Sequence, residues 1–141
     1  MLEKEFERLY YKFRANYCKN LFASVKEGSL SATDSYCLEV IFLLDGPTVN
    51  EFADYISTSL PNASYRINKL IEKGYVRKQV SEYDKREYIL EVTDEFLNRY
   101  GANTSFNSKL MAGIREQFTD DEIYVLEGMI KRIVEDIMEN K

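Results

Sequence analysis

The chain has 141 residues, 19 Lys and Arg against 24 Asp and Glu, a net charge of −5 and no His. That length suits one domain, read here as spanning 1–141, and 45% apolar with 30% charged residues is globular composition rather than disorder. Without His, no Ser-His-Asp or Cys-His nucleophile and no histidine-bearing zinc site can be assembled, and two cysteines are too few for an all-thiolate site, so no cofactor or metal is expected.

The first residues, Met1-Leu2-Glu3-Lys4-Glu5-Phe6-Glu7-Arg8, hold no continuous apolar stretch and do not read as a signal peptide. The longest apolar run, Val40-Ile41-Phe42-Leu43-Leu44, is far short of the ~20 residues of a membrane span. Cys18 and Cys37 make no disulfide framework, so a reducing cytoplasm is the expected setting. Both read as small buried hydrophobes, since neither has an activating neighbourhood beyond Lys19 beside Cys18.

Residues 2–26 read as a long helix, with Leu2, Phe6, Leu9, Phe13 and Tyr17 forming one apolar stripe and Gly28 ending it. Ser31 can cap a second helix running to Asp45, with Tyr36, Val40, Leu43 and Leu44 inward and Cys37 and Ile41 beside them. Gly46-Pro47 is a turn. Thr48-Val49-Asn50-Glu51 fits a capping box for a short helix with Val49, Phe52, Ala53 and Ile56 inward. Ser57-Thr58-Ser59 breaks it, and Ser59 can cap the next helix, which ends at Gly74. There Ala63, Ile67 and Leu70 face the core, and Asn62, Tyr65, Asn68 and Lys69 occupy the other face.

The period then changes from 3.6 to 2. Residues 75–80 and 87–92 read as two strands joined by the polar tip Ser81-Glu82-Tyr83-Asp84-Lys85-Arg86. Thr93-Asp94-Glu95 starts a helix extended to about Gln117, weakened by Gly101 and Asn103-Thr104. Thr119-Asp120-Asp121-Glu122 is a second capping box, and in the helix it opens Ile123, Leu126, Ile130, Ile133 and Ile137 step 3-4-3-4. The expected fold is mainly α with a small β-hairpin wing. Residues 30–92 form a winged helix-turn-helix, flanked by dimerisation helices in 1–28 and 93–141.

Charge is segregated along the chain. From Pro61 to Arg86 seven basic residues stand against three acidic ones, a net of +4 in a chain of −5, so the remainder carries −9. A local excess of that sign is what a polyanion partner needs, since phosphate contacts supply affinity and base edges supply sequence information. Asn62, Ser64 and Tyr65 lie in the first turns of the recognition helix. Asn can bond adenine in two places, its amide oxygen accepting and its NH2 donating, and Tyr can donate to phosphate or pack on a thymine methyl. Pro61 is tolerated there because its missing N–H has no intrahelical partner. Arg66 borders the buried stripe, so its stem can be covered while its head reaches out. Asp84 can hold Arg86 by charge-assisted hydrogen bonds and point it into a narrow minor groove.

These pieces, in this order, resemble the MarR family of bacterial transcriptional regulators over nearly the whole chain. The matching residues are Leu30-Ser31, Gly46-Pro47-Thr48-Val49 with Phe52-Ala53, Ser59, and Leu70-Ile71-Glu72-Lys73-Gly74-Tyr75-Val76. Asp84-Lys85-Arg86 in the wing, Thr93 and Thr119-Asp120-Asp121-Glu122 continue the match. The resemblance implies a homodimer joined by its terminal helices, with the fourth helix in the major groove and the wing Arg in the adjacent minor groove. It also implies, for many members, a small aromatic ligand bound between the two regions. The chain departs from the family pattern at Pro61-Asn62, where small hydroxyl residues are usual. Further departures are Tyr65 in place of Arg, Arg66 in place of a large apolar residue, and Asp94-Glu95-Phe96 in place of Glu-Lys-Gly.

The expected partner is therefore double-stranded DNA carrying a pseudo-palindromic operator. Its contacts would come from Ser59, Pro61, Asn62, Ser64, Tyr65, Arg66 and Lys69 of the helix and Lys78, Lys85 and Arg86 of the wing, with Asp84 orienting Arg86. Phe6, Leu9, Ile123, Leu126, Ile130, Ile133 and Ile137 are the expected dimer interface. Phe13, Tyr17 and Tyr36 read either as ordinary core or as the lining of a ligand pocket. The acid pairs read as helix-terminal and surface charge, and the isolated glycines make no phosphate loop, so no enzyme is expected. The acidic remainder and Pro61-Asn62 keep a second reading open, a winged-helix protein–protein module that has lost DNA binding.

Overall fold

In the computed structural model the chain runs α1 (Leu2–Lys26), α2 (Ala32–Leu44), α3 (Val49–Tyr55), α4 (Leu60–Glu72), β1 (Val76–Val80), β2 (Tyr88–Val92), α5 (Asp94–Tyr100), α6 (Ala102–Gln117) and α7 (Asp120–Arg132). Residues 1–26, 30–100 and 102–139 are described, with side chains over 1–20, 30–98 and 106–139. Gly28 and Gly101, read above as a helix stop and a weak point, lie outside the described residues. The chain divides into two compact units, Met1–Asn103 and Thr104–Lys141.

The first unit is a winged helix. Its core gathers Leu38 and Ile41 of α2, Phe52 of α3, Ala63, Ile67 and Leu70 of α4, Tyr75 and Val76 at the start of the wing, Leu90 of β2 and Phe96 of α5. Each large apolar side chain fully withdrawn from water there contributes about 1.5–3 kcal/mol. The two strands pair antiparallel from Val76↔Val92 to Val80↔Tyr88. The turn before α3 adds to that sheet: Thr48 bridges Ile89, and the Leu90 N–H donates to the Pro47 carbonyl at 2.8 Å. This pins the helix-turn-helix to the wing.

The face of α2 differs from the expectation. Cys37, Leu38, Val40 and Ile41 are buried and Leu44 is partly so, whereas Tyr36 and Leu43 are exposed. The helix is apolar on most sides, so periodicity alone cannot select its inward face. The face is set by what packs against it, which is α3, α4 and β2 together with α1.

Helix starts follow the sequence closely. Ser31, Thr48, Ser59 and Thr119 each accept the backbone N–H three residues on. At Thr119 the box is complete, with the Glu122 carboxylate accepting the Thr119 N–H at 3.0 Å. At Thr48 only half forms, because the Glu51 carboxylate accepts the Thr48 hydroxyl (3.3 Å) instead. Of the helix expected over 93–117, residues 94–100 (α5) and 102–117 (α6) are helical, and residue 101 lies outside the described residues. After Arg132 the last helix widens into a π-helical turn over Ile133–Met138, where the Glu139 N–H donates to the Val134 carbonyl at 3.0 Å. The 3-4 repeat therefore leaves the α-helical phase at its C-terminal end.

Candidate nucleic-acid interface

Helix α4 is oriented by burial of Ala63, Ile67 and Leu70. This turns Asn62, Tyr65 and Asn68 outward, with Ser64 and Lys69 half-buried at the edges. Ser59 caps the helix with its hydroxyl on the Asn62 N–H (3.3 Å), and Pro61 sits in the first turn. The Lys69 ammonium lies 5.5 Å from the centre of the Tyr65 ring, a cation–π contact that leaves the charge in place. Asn68, which the predicted contact set omits, shares this outer face; its spacing from Tyr65 was the available signal.

Arg66 is half-buried, and its positive charge is felt at the buried Cys37 thiol, where it partly opposes the upward push of burial. Cys37 stays a protonated thiol near neutral pH, because burial dominates and Asp34 adds to it.

Asp34, in the first turn of α2, is 2% exposed and pairs with the Lys73 ammonium at 3.3 Å. Lys73 caps the end of α4, so this pair ties the two helices together just before the wing. Gly74 follows with φ +83°, and its carbonyl accepts the Thr93 hydroxyl at 2.6 Å. The entry and exit of the wing are thus bound to each other.

The wing tip is closed by a set of short bonds. The Ser81 N–H donates to the Glu87 carbonyl (2.9 Å) and the Glu87 N–H to the Asp84 carbonyl (3.0 Å). The buried Ser81 hydroxyl accepts the N–H groups of Tyr83 (3.2 Å) and Asp84 (3.3 Å). Asp84 accepts from Arg86 three times, from its backbone N–H (3.0 Å), Nε (3.2 Å) and Nη2 (3.4 Å). Those bonds hold the Asp84 carboxyl below its ordinary range, while the Arg86 side chain remains 91% exposed. On the strands, Arg77 pairs with Glu91 at 2.8 Å, and the Lys78 ammonium lies 4.5 Å from the Tyr88 ring centre.

Some of the +4 in this segment is therefore already engaged. Lys73, Arg77 and Arg86 each face a carboxylate. Lys69, Lys78 and Lys85 take part in no ion pair among the described residues.

The other predicted sets fall elsewhere. Tyr17 is half-buried beside Tyr36 and Glu39; burial first, then the negative charge of Glu39, raises its phenol, and burial raises the Glu39 carboxyl. Phe13 and Tyr36 are partly exposed. On α1, Phe6 and Leu9 are exposed, and so are Leu126, Ile130, Ile133 and Ile137 on the last helix, with Ile123 half-exposed. Within the second unit an apolar cleft of about 470 Å³ is lined by Phe118, Asp121, Glu122, Val125, Leu126 and Met129. Among the described residues no group of His, Cys, Asp and Glu is placed to hold a metal, and no helix is long and apolar enough to cross a membrane.

The sequence model of the MarR family matches residues 30–87, the segment from the start of α2 to the wing tip. No curated protein matches the chain. Solved structures share its fold. A MarR protein from Peptoclostridium difficile DA00132 is 23% identical, with 99% of this chain and 88% of that chain covered at a TM-score of 0.53. A MepR mutant from a multidrug resistant S. aureus clinical isolate is 15% identical, with 97% of each chain covered at a TM-score of 0.62. A crystal structure of an S. aureus MepR–DNA complex is 18% identical, with 91% of this chain and 97% of that chain covered at a TM-score of 0.53.

Proposed function

We propose that the chain, whose residues 30–87 match the model of the MarR family, is a MarR-type, sequence-specific double-stranded-DNA-binding transcriptional regulator, a repressor in the cytoplasm. It acts as a homodimer on a pseudo-palindromic operator. Each subunit lays the Asn62, Ser64, Tyr65, Asn68 and Lys69 face of α4 in a major groove, with Ser59 and Pro61 at its entry. Lys78, Lys85 and Arg86 of the wing track the backbone and the neighbouring minor groove. Arg66, half-buried at the edge of that face, adds its guanidinium to the contacts. One observation carries the reading: the Arg86 guanidinium is held in water by two bonds to Asp84, which also accepts the Arg86 backbone N–H, at the tip of a tied hairpin that follows the outward-facing helix. A guanidinium so fixed has little side-chain entropy left to lose on entering a groove.

Two further parts of the reading concern assembly and control. The exposed apolar stripes on α1 and on the last helix are the surfaces through which two copies associate, which would set two recognition helices about 34 Å apart. The half-buried Tyr17, beside Tyr36 and Glu39, supports a small aromatic ligand near α1 and α2 that shifts the population between DNA-competent and incompetent arrangements.

The test is a gel shift against the gene's own upstream region, with unrelated DNA as competitor and salt varied. Three lysines per subunit outside ion pairs make about six phosphate contacts per dimer, so log Kd should rise with log salt at a slope of about 5. A competitor-resistant shift with that slope supports the reading. No shift with any upstream fragment at micromolar protein and low salt refutes it.

A further inference from the structure

Tyr83 is the outermost aromatic of the wing. It stands 97% exposed at the hairpin tip, three residues from Arg86. A phenol ring wholly in water gains nothing for the fold, and the next most exposed large apolar side chains, Met1, Leu2 and Tyr124, lie at the start of the chain or on a helix. Its backbone, in contrast, is fixed: the Tyr83 N–H donates to the buried Ser81 hydroxyl, and the Asp84 N–H donates to the same oxygen. The hairpin below is closed by Ser81 on Glu87 and Glu87 on Asp84. The tip therefore presents one oriented guanidinium and one aromatic ring from a single tied turn.

We propose that Tyr83 is a second DNA contact of the wing, its ring packing against the deoxyribose wall of the minor groove that Arg86 enters and its hydroxyl donating to a flanking phosphate. The assignment rests on the DNA-binding reading above. Three physical points favour this occupant. The ring offers a flat apolar face and a polar end, which matches sugar beside phosphate. Its backbone is ordered before binding, so little entropy is lost in docking. Lys85 and Arg86 bring positive charge to the tip for the flanking phosphate, and Asp84, one of the two acids beside the ring, is already paired with Arg86. Ser81 is the positioning residue of this arrangement, since its hydroxyl holds both N–H groups.

The experiment uses the full-length protein and an upstream fragment that it shifts. Tyr83→Ala is expected to bind about tenfold more weakly, the scale of one good contact, with an unchanged Tm. Tyr83→Phe, which keeps the ring, is expected to lose only about two- to threefold, the low end of the net value of one hydrogen bond, because at an exposed tip the phosphate exchanges the phenol for water. Because the chain contains no Trp, Tyr83→Trp places a single indole at the tip. Its emission should change on adding the fragment and become protected from iodide quenching. Binding by Tyr83→Ala equal to that of the unaltered protein, or an indole that stays fully quenchable in the bound complex, overturns the assignment while leaving the DNA-binding reading intact. Failure of the unaltered protein to bind any fragment removes that reading and this one with it.

Discussion

The joint between α2 and α4 sets where the recognition helix sits, and it turns on a buried carboxylate. Replacing Lys73 by Met leaves Asp34 in place, 2% exposed and without its ammonium. Removing one partner of a buried pair typically costs about 3–5 kcal/mol. Two features lower that figure here. Asp34 lies in the first turn of α2, where the helix dipole favours a negative charge by about 0.3–1 kcal/mol. The Lys73 side chain is 38% exposed, so the pair is partly solvated. The expected loss is then about 2–3 kcal/mol. Asp34→Asn breaks the same ion pair from the other side but leaves no buried charge, and the lysine can turn to water; about 1 kcal/mol is expected, the value of one hydrogen bond. Urea unfolding of both variants at equal protein concentration and pH 7 measures the asymmetry. Equal losses, or a larger loss in Asp34→Asn, would refute the argument that burial of the carboxylate controls this joint.

Arg86→Ala should weaken binding to a shifted fragment by about 1–3 kcal/mol with Tm unchanged, because its side chain is almost wholly in water; titration of the variant by gel shift reads it. Gly74→Ala should cost about 1–2 kcal/mol and lower Tm, since φ is +83° and the new Cβ would lie 2.8 Å from the Glu95 carboxylate, a flexible group that can move while the backbone strain stays. Ile130→Asp should turn a dimer into a monomer by light scattering at micromolar concentration; a monomeric unaltered protein would contradict the dimer. The Asp84 carboxyl is held below its ordinary value, so its contribution to the tip is present above that value and lost as pH falls through the lowered one. The NMR shift of the Arg86 backbone amide against pH follows this, and in Asp84→Asn the step should vanish.

What the sequence made legible was local. Cap residues announced four helix starts because a side-chain hydroxyl three residues before a backbone N–H is a short-range geometry. The wing was equally plain, as alternation of period 2 on both sides of a polar tip. The inward face of α2 was not, because Tyr36, Val40, Leu43 and Leu44 are as apolar as Cys37, Leu38 and Ile41, and only the positions of α3, α4 and β2 decide between them. The Asp34–Lys73 pair lies thirty-nine residues apart in sequence, beyond any periodic signal. The bridge from Thr48 to Ile89 was hidden for the same reason, as one residue of extended chain has no period. Within the site, Ser59, Asn62, Tyr65, Asp84 and Arg86 were readable from cap, face and tip. The role of Ser81 was not, since a serine in a polar turn looks like any other until its two N–H donors are seen.

Arg66 borders the stripe of Ala63, Ile67 and Leu70, and the fold leaves it half-buried, with its charge felt at Cys37. The residues of α4 that stand fully outward are then Asn62, Tyr65 and Asn68, with Lys69 at their edge. On the DNA-binding reading, base contacts in the major groove would come from Asn62, Asn68 and Tyr65, with Lys69 beside them. Asn pairs most naturally with adenine, Tyr packs on the thymine methyl, and Lys can meet guanine. A preference for A·T-rich half-sites is then expected, because the minor groove that Arg86 would enter is narrowest in sequences of that composition. Equal affinity for A·T-rich and G·C-rich fragments in a competition gel shift would refute that expectation.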